Sequence, residues 1–562
     1  MKGPLEFLDF AVVGAYFALV FGLAWWVTVR DRKRGQESSS SDYFLASRSI
    51  GWFVIGASLF ASNIGSEHLV GLAGAGARGD IAAAQFEMLA VLILMLLGWV
   101  FAPFYLQSGV FTMPEFLERR FSSGARTYLS VISILSYVLT KISVTIFAGA
   151  LVFEELLGVE FWTGAIAVVV ATGLYTILGG LRAVIYTDML QMFVLIGGSV
   201  TVTFFALDAA GGWGAITTAI EQTKGADNHY LNLWRPATDP DYPWTGILFG
   251  APILGIWYWC TDQFIVQRVL SAKNPTEARR GALFGGGLKL LPIFLFVFPG
   301  IIAYGIYAGG DAQLLLNAEG NPETDRALPA LVMNYLPVGL KGLVTAGLLA
   351  ALMSSLSSVF NSCSTLLTID FYRRFRPSAS EKQLVRFGQW ATAVLVVIGL
   401  LWIPLMRSMQ ESGGLFKYLQ EVQAYISPPI AAVFMLGLFY PRLNARGAMA
   451  ALWVGFVLGI GKLLAIFATE GHEQGVAIVN SGILVSFASF NFLHYAFLLF
   501  VLCSAVMVAF SIGQPTKSAA QLEGLVYRKA TIGINRTDVV ISIGLLLAVA
   551  ALWIWFSPLV AG

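Results

Sequence analysis

Ser62-Asn63-Ile64-Gly65-Ser66-Glu67-His68 interrupts an apolar run whose two halves, Gly51 to Phe60 and Leu69 to Gly76, read as the ends of a single membrane helix. A bilayer offers no water to loose backbone groups. A polar, glycine-containing gap is therefore tolerated only where it is buried in protein or lines a cavity. An acid beside a histidine, Glu67-His68, is expensive at that depth and marks function by default. Interrupted helices are the sign of a secondary transporter, where freed carbonyls and side chains hold ion and substrate near the midplane. The segment is the expected site.

The rest of the composition fits a membrane setting. Of 562 residues 57% are hydrophobic and 12% charged, with a mean hydropathy of +0.73. Soluble domains carry about twice that charged fraction. Apolar stretches of about 20 residues recur along the whole length, which describes a polytopic membrane protein rather than an anchored enzyme. A net charge of +2 gives no footing for nucleic acid. Cys260, Cys363 and Cys503 lie in apolar segments without metal or disulfide spacing. His68, His229, His472 and His494 are scattered, and no phosphate-binding glycine loop follows a strand, so neither metal catalysis nor ATP is indicated. The first apolar run, Leu8 to Thr28, has its basic cluster, Arg30 to Arg34, behind it, which makes it a transmembrane helix rather than a signal peptide.

Length and apolarity predict an all-α protein of about 14 spans. They fall near 8–29, 50–76, 82–107, 127–157, 161–178, 183–206, 246–266, 282–308, 338–371, 385–405, 418–440, 447–468, 491–511 and 538–558. With both termini outside, roughly 24 of the 35 Lys and Arg fall on the inner side, as the positive-inside rule requires. The inner set includes Arg30 to Arg34, Arg119-Arg120, Arg268 to Arg280, Arg373 to Lys382, Arg442 with Arg446, and Lys517 to Arg536. Ser38 to Ser41 reads as an inner linker, and the outer segments 207–245 and 309–337 as loops or short surface helices.

A second interruption lies at Trp257-Tyr258-Trp259-Cys260-Thr261-Asp262-Gln263. Five spans from 50 to 206 and five from 246 to 440 then each begin with a disrupted helix, the sequence pointer to an inverted repeat. The competing reading is an aromatic-rich helix ending at the inner interface. The chain accordingly divides into an N-terminal helix and linker (1–49), a first repeat (50–208), an outer loop (209–245), a second repeat (246–440) and three C-terminal helices (441–562).

Ala351, Ser354 and Ser355 share one helix face, and their oxygens, with backbone carbonyls near Ala61 and Ile64, suit a hard monovalent cation. Ser357 and Ser358 add hydroxyls one position round; serines in membranes also simply bond back to their own helix. Asp188, inside an apolar span, calls for a facing cation or for contact with interfacial water. Asn63, His68, Glu87, Lys289 and Gln420 lie in or beside different spans and supply the donors and acceptors that a polyhydroxylated solute needs. Tyr258 and Trp259 offer ring faces for its apolar side. Glu87 and Lys289 have opposite charge and are expected to pair when no solute is present.

At these residues the chain resembles the sodium/solute symporter family in its sodium–glucose cotransporter branch. The resemblance is carried by Ala61 to Ser66, Phe86-Glu87, Gly179 to Asp188, Trp257 to Gln263, Val266 to Arg268, Leu288 to Leu290, Met353 to Ser358 with Asn361-Ser362, and Ser427 to Pro429. It implies a LeuT-type five-plus-five inverted-repeat core with one helix before it and three after. It implies a co-transported sodium ion held by Ala61, Ile64, Ala351, Ser354 and Ser355, with Asp188 beside it. A second sodium at Ser62, Asp188, Ser357 and Ser358 is a further implication. It also implies sugar contacts from Asn63, His68, Glu87, Lys289 and Gln420, with Tyr258 as the inner gate, and an outer gate of Leu72, Phe86 and Phe416.

Two positions depart from the branch. Gly255 stands where its sugar transporters present a polar side chain, and Met88 where tryptophan is common. The expected activity is sodium-coupled import of a glucose- or galactose-like monosaccharide across the plasma (cell inner) membrane. The alternatives are a sugar-gated sensor and a carrier of another polar solute such as inositol.

Overall fold

A computed structural model of the chain describes residues 5–33, 39–142, 144–146, 149, 153–225, 230–311, 314–316, 323–407, 415–470, 482–527 and 535–558. Arg34, Ser38, His229, Pro322 and His472 lie outside these, as does the side chain of Glu67. The described residues form helices and no strand beyond isolated bridges. Eleven helices are long and apolar enough to cross a membrane.

Helix α1 (Phe7–Lys33) precedes the interrupted pair α2 (Trp52–Asn63) and α3 (Ser66–Arg78). Next come α4 (Ile81–Ser108), α5 (123–142) and α6 (Phe161–Ala209). Gly180 divides α6 with φ +57°, the left-handed region that glycine enters without penalty; the expected spans 161–178 and 183–206 lie on either side of it. Helix α7 (244–261) ends in a π-helical turn, Ile256–Thr261, and α8 (Gln263–Leu270) resumes after Asp262. The remainder are α9 (Pro275–Ala308), α10 (Leu340–Phe375), α11 (Glu381–Arg407), α12 (Leu415–Phe439), α13 (Ala445–Glu470), α14 (Phe492–Ala509) and α15 (Arg536–Trp555).

Both interruptions are genuine. Ile64 is extended (φ −81°, ψ 94°) and Gly65 likewise, while Asp262 (φ −78°, ψ 129°) parts α7 from α8. The aromatic run is thus not the plain end of a helix. The Asp262 carboxylate caps α8 by accepting from Phe264 N (3.3 Å) and also accepts from the Tyr137 hydroxyl. The start of α2 and the end of α8 are stitched together, Ile50 N donating to Ser271 O (3.1 Å) and Lys273 N to Ile50 O (3.1 Å).

Burial separates centre from periphery. The apolar window of α10 is 94% buried, whereas that of α15 is 17% buried and turns Ile543 and Leu547 outward, as a lipid-facing helix does. Helix α15 is nonetheless tied to the bundle, Asp538 meeting Arg280 (2.8 Å) and Trp99 Nε1 donating to Ser542 Oγ (2.9 Å). Helix α1 is tied too: buried Asp9 accepts from Gly339 N (2.7 Å) and Gly342 N (2.8 Å), capping α10 from another helix. Two cations assigned to inner loops are buried instead. Arg120 donates to the carbonyls of Gly437 (2.7 Å), Tyr440 (2.9 Å) and Leu443 (3.1 Å) at the end of α12, and Arg268 lies inside the bundle.

Helices approach closely where glycine permits, as membrane packing favours. A Cβ on Gly300 of α9 would stand 1.8 Å from Ala73 O of α3, whereas one on Gly461 of α13 meets nothing within 4 Å. Gly300→Ala is expected to cost about 1–3 kcal/mol by forcing two backbones apart. Gly461→Ala is expected to stabilise by up to ~1 kcal/mol through helix propensity alone. Thermal unfolding of both variants in one detergent checks the opposite signs.

Candidate functional site

The break after α2 frees backbone oxygens, and α10 takes them up. In a continued helix Gly65 N would bond Ala61 O; it bonds Asn63 O instead (3.1 Å). Ser354 Oγ donates to Ala61 O (2.7 Å) and Ser355 Oγ to Ser62 O (3.1 Å), while Ser354 Oγ also lies 3.1 Å from Ala351 O. Ala61, Ala351, Ser354 and Ser355 are thus gathered within one turn of each helix, all buried, with Ile64 in the break itself. These are oxygens without thiolate or imidazole, the donor set of a hard cation.

One turn back along α2, at Ser58, lies a charged layer. Asp188 of α6 accepts from Ser58 Oγ (2.5 Å) and from Arg268 Nη2 (3.4 Å); Arg268 also donates to Ser58 Oγ (2.9 Å), Ser358 Oγ and Phe264 O. Both charged side chains are fully buried. The cation that faces Asp188 is therefore Arg268, which corrects the placement of that arginine in an inner loop. Ser62 Oγ donates to Ser58 O (2.6 Å) and Ser357 Oγ to Ser354 O (3.1 Å), each within its own helix. Of the second expected ion set, two members are engaged with helix carbonyls and two with a guanidinium.

On the other side of Asn63 opens a cleft with an empty volume of ≈ 490 Å³. Asn63, His68, Glu87, Tyr258, Trp259 and Gln420 all line it. Lys289 sits behind: its Nζ donates to Glu87 Oε2 (2.5 Å) and to Asn63 Oδ1, and lies 5.2 Å from the Trp259 ring centre. Asn63 Nδ2 in turn donates to the Tyr258 hydroxyl (2.9 Å). The opposite charges of Glu87 and Lys289 are thus mutually neutralised while three amides, of Asn63, Gln420 and Gln423, and the Tyr258 phenol remain at the wall.

Aromatics pack at one end of the cleft. Phe416 packs 6.0 Å from Phe86 and 5.8 Å from His68, centre to centre, and Gly71 lets α3 come against it. Leu72 is fully buried but is not on the cleft wall. Further out, Lys417 Nζ meets Asp241 at 2.6 Å.

Sequence reasoning missed Lys141 and Gln423, which also line the cleft, and Ser58, which joins the charged layer. Lys141 Nζ lies 5.3 Å from the Tyr258 ring centre. The signal for Lys141 was available, because a lysine inside an apolar span is itself a functional pointer. Gln423 had one as well, standing three residues after Gln420 on the same helix face.

Residues 43–455 match the sodium:solute symporter family. The chain belongs to that family. It is 40% identical to "Sodium/glucose cotransporter 1" of Oryctolagus cuniculus, over 90% of this chain and 78% of the relative. It is 39% identical to "Sodium/myo-inositol cotransporter" of Canis lupus familiaris, over 93% and 75%. The solved structure of a Na+-coupled sialic acid symporter, in its substrate-bound outward-open state, superposes with a TM-score of 0.74 at 22% identity, covering 91% of this chain and 99% of that one. That likeness shows the LeuT-type fold.

Removing one member of a buried pair strands the other charge, at ~3–5 kcal/mol. Arg268→Leu is therefore expected to lower the unfolding temperature sharply. Adding Asp188→Asn in the same chain should recover most of the loss, and a thermal double-mutant cycle measures the coupling.

Proposed function

We propose that this chain imports a monosaccharide together with sodium, by alternating access to a site at its two broken helices. The observation that carries the reading is Asn63. Its side chain bonds Lys289 and Tyr258 at the cleft, while the carbonyls of Ala61 and Ser62, in the same helical turn, bond Ser354 and Ser355. An ion held by Ala61, Ile64, Ala351, Ser354 and Ser355 would order the turn that presents Asn63 to the solute. Solute held at Asn63 would stabilise the ion reciprocally, as linkage requires.

Sugar hydroxyls both donate and accept, and His68, Glu87, Lys289 and Gln420 offer both functions, with Tyr258 and Trp259 for the C–H face. Phe86 and Phe416 would part to admit solute from outside, with Leu72 moving in the layer behind, and Tyr258 would release it inward. The rocking units would be 50–208 and 246–440, in a plasma (cell inner) membrane with both termini outside. One sodium crossing about 100 mV supplies ~2.3 kcal/mol. A tenfold gradient adds ~1.4 kcal/mol, enough together for a few-hundred-fold solute ratio.

A cyclic polyol such as inositol is the second reading, favoured by the myo-inositol relative and by Gly255, which leaves a plain wall beside Ile93. A second sodium at Ser62, Asp188, Ser357 and Ser358 would require Arg268 to leave Asp188 and Ser358. Reversal potentials give the ratio, and a ratio of one that Ser357→Ala leaves unaltered matches the helix-bonded hydroxyls.

Sodium-dependent uptake of sugars and polyols in reconstituted liposomes tests the reading, since either solute must be carried only with sodium. Ser354→Ala or Ser355→Ala is expected to raise the sodium concentration for half-maximal uptake; unchanged dependence in both moves the ion elsewhere. Ala in place of Glu87, Lys289 or Gln420 should weaken solute binding at least tenfold, since a stranded buried partner costs ~1–3 kcal/mol. Wild-type uptake by the Glu87 variant would sink the pocket as drawn.

A further inference from the structure

Between the ion-binding turn and the inner face, α10 carries Ser354, Ser358, Asn361 and Thr365 at i, i+4, i+7 and i+11, a single face of a 3.6-residue helix. Three of these hydroxyls and amides are occupied. Ser354 donates to Ala61 O, Ser358 accepts from Arg268, and Thr365 Oγ1 donates to Asn361 O (2.7 Å) and accepts from Gln267 Nε2 (2.8 Å). Asn361 is the exception. Its side chain is 2% exposed, yet neither Nδ2 nor Oδ1 has a hydrogen-bond partner.

Other unpaired buried polar atoms lie nearby, on α10 and on α6. Toward the inner end, Thr368 is fully buried with its hydroxyl unpaired. Asp370 engages Thr112 (2.9 Å) and Arg126 (2.6 Å) through Oδ1 and keeps Oδ2 unpaired. Toward the ion, Asp188 keeps Oδ1 unpaired. Buried polar atoms without partners are rare and need a reason, because an apolar side chain of the same size would fill the space at less cost. Asn361 on this face of α10, with Thr368 two turns further on, supplies the unpaired oxygens that a partly dehydrated cation needs as it steps from oxygen to oxygen. Such sites must bind strongly enough to admit the ion and weakly enough to pass it on. Arg268 stands at the first step, and the carboxylate of Asp188 beside it cancels the positive charge an ion would meet there.

We propose that this face of α10 is the route by which sodium leaves the Ser354–Ser355 site for the inner side, with the carboxamide oxygen of Asn361 as its intermediate ligand. The proposal rests on the sodium reading above. Its test separates release from binding. In proteoliposomes, Asn361→Leu is expected to lower the turnover of sodium-driven uptake about tenfold, the effect of losing one ligand at the rate-limiting passage. The midpoint of thermal stabilisation by NaCl, measured against KCl, should stay that of the wild type. Asn361→Asp, which offers a stronger ligand at the same place, should make uptake about tenfold more sensitive to inhibition by internal sodium.

Wild-type turnover in Asn361→Leu overturns the route. So does a sodium midpoint that shifts as far as turnover falls, which would assign Asn361 to the binding site. Should the leucine variant fail to fold, unaltered internal-sodium inhibition in Asn361→Asp overturns it equally. A wild type whose uptake and stability ignore sodium removes the sodium reading itself, and that failure shows before any substitution is made.

Discussion

Everything near the centre of this molecule follows from one constraint: backbone oxygens freed inside a bilayer must find partners in the protein. The break at Ile64 and Gly65 releases the end of α2, and Ser354 and Ser355 of α10 take up Ala61 O and Ser62 O. The break at Asp262 is closed by its own side chain capping α8. Each interruption would be ruinous in an isolated helix. Here one is met by serines of a neighbouring helix and the other by its own carboxylate.

The same economy governs charge. Two ion pairs lie in the core, Asp188 with Arg268 and Glu87 with Lys289. Buried pairs contribute little net stability, since desolvation offsets attraction, but removing one partner is costly. Their arrangement fits groups that change partners during a cycle. Lys289 holds both Glu87 and Asn63 at the cleft. The membership in the sodium:solute symporter family and the shared fold agree with that architecture.

Helices α1 and α15 fix the frame from either end of the chain. Asp9 of α1 caps α10 across a helix boundary, and Asp538 of α15 holds the start of α9 through Arg279 and Arg280. The helix that bears Ser354 and Ser355 is thus anchored at its N-terminal end by a residue remote in sequence. Rigid seating of that helix keeps the two serines in register with α2.

The sequence alone determined the helical membrane class, both interruptions and the polar residues of the cleft, because apolar length and a glycine-bearing gap are local properties. It also indicated the division of 161–209, through Gly179-Gly180. The pairing of those residues was decided by tertiary structure. Arg268, next to an apolar run and among basic neighbours, reads as an inner-loop cation; only the crossing of α2, α6, α8 and α10 places it on Asp188 and Ser358. Lys141 and Gln423 joined the wall because α5 and α12 pass the cleft at those turns. Partners far apart in sequence leave no periodic trace in it, since the bond that matters forms only once the helices have packed.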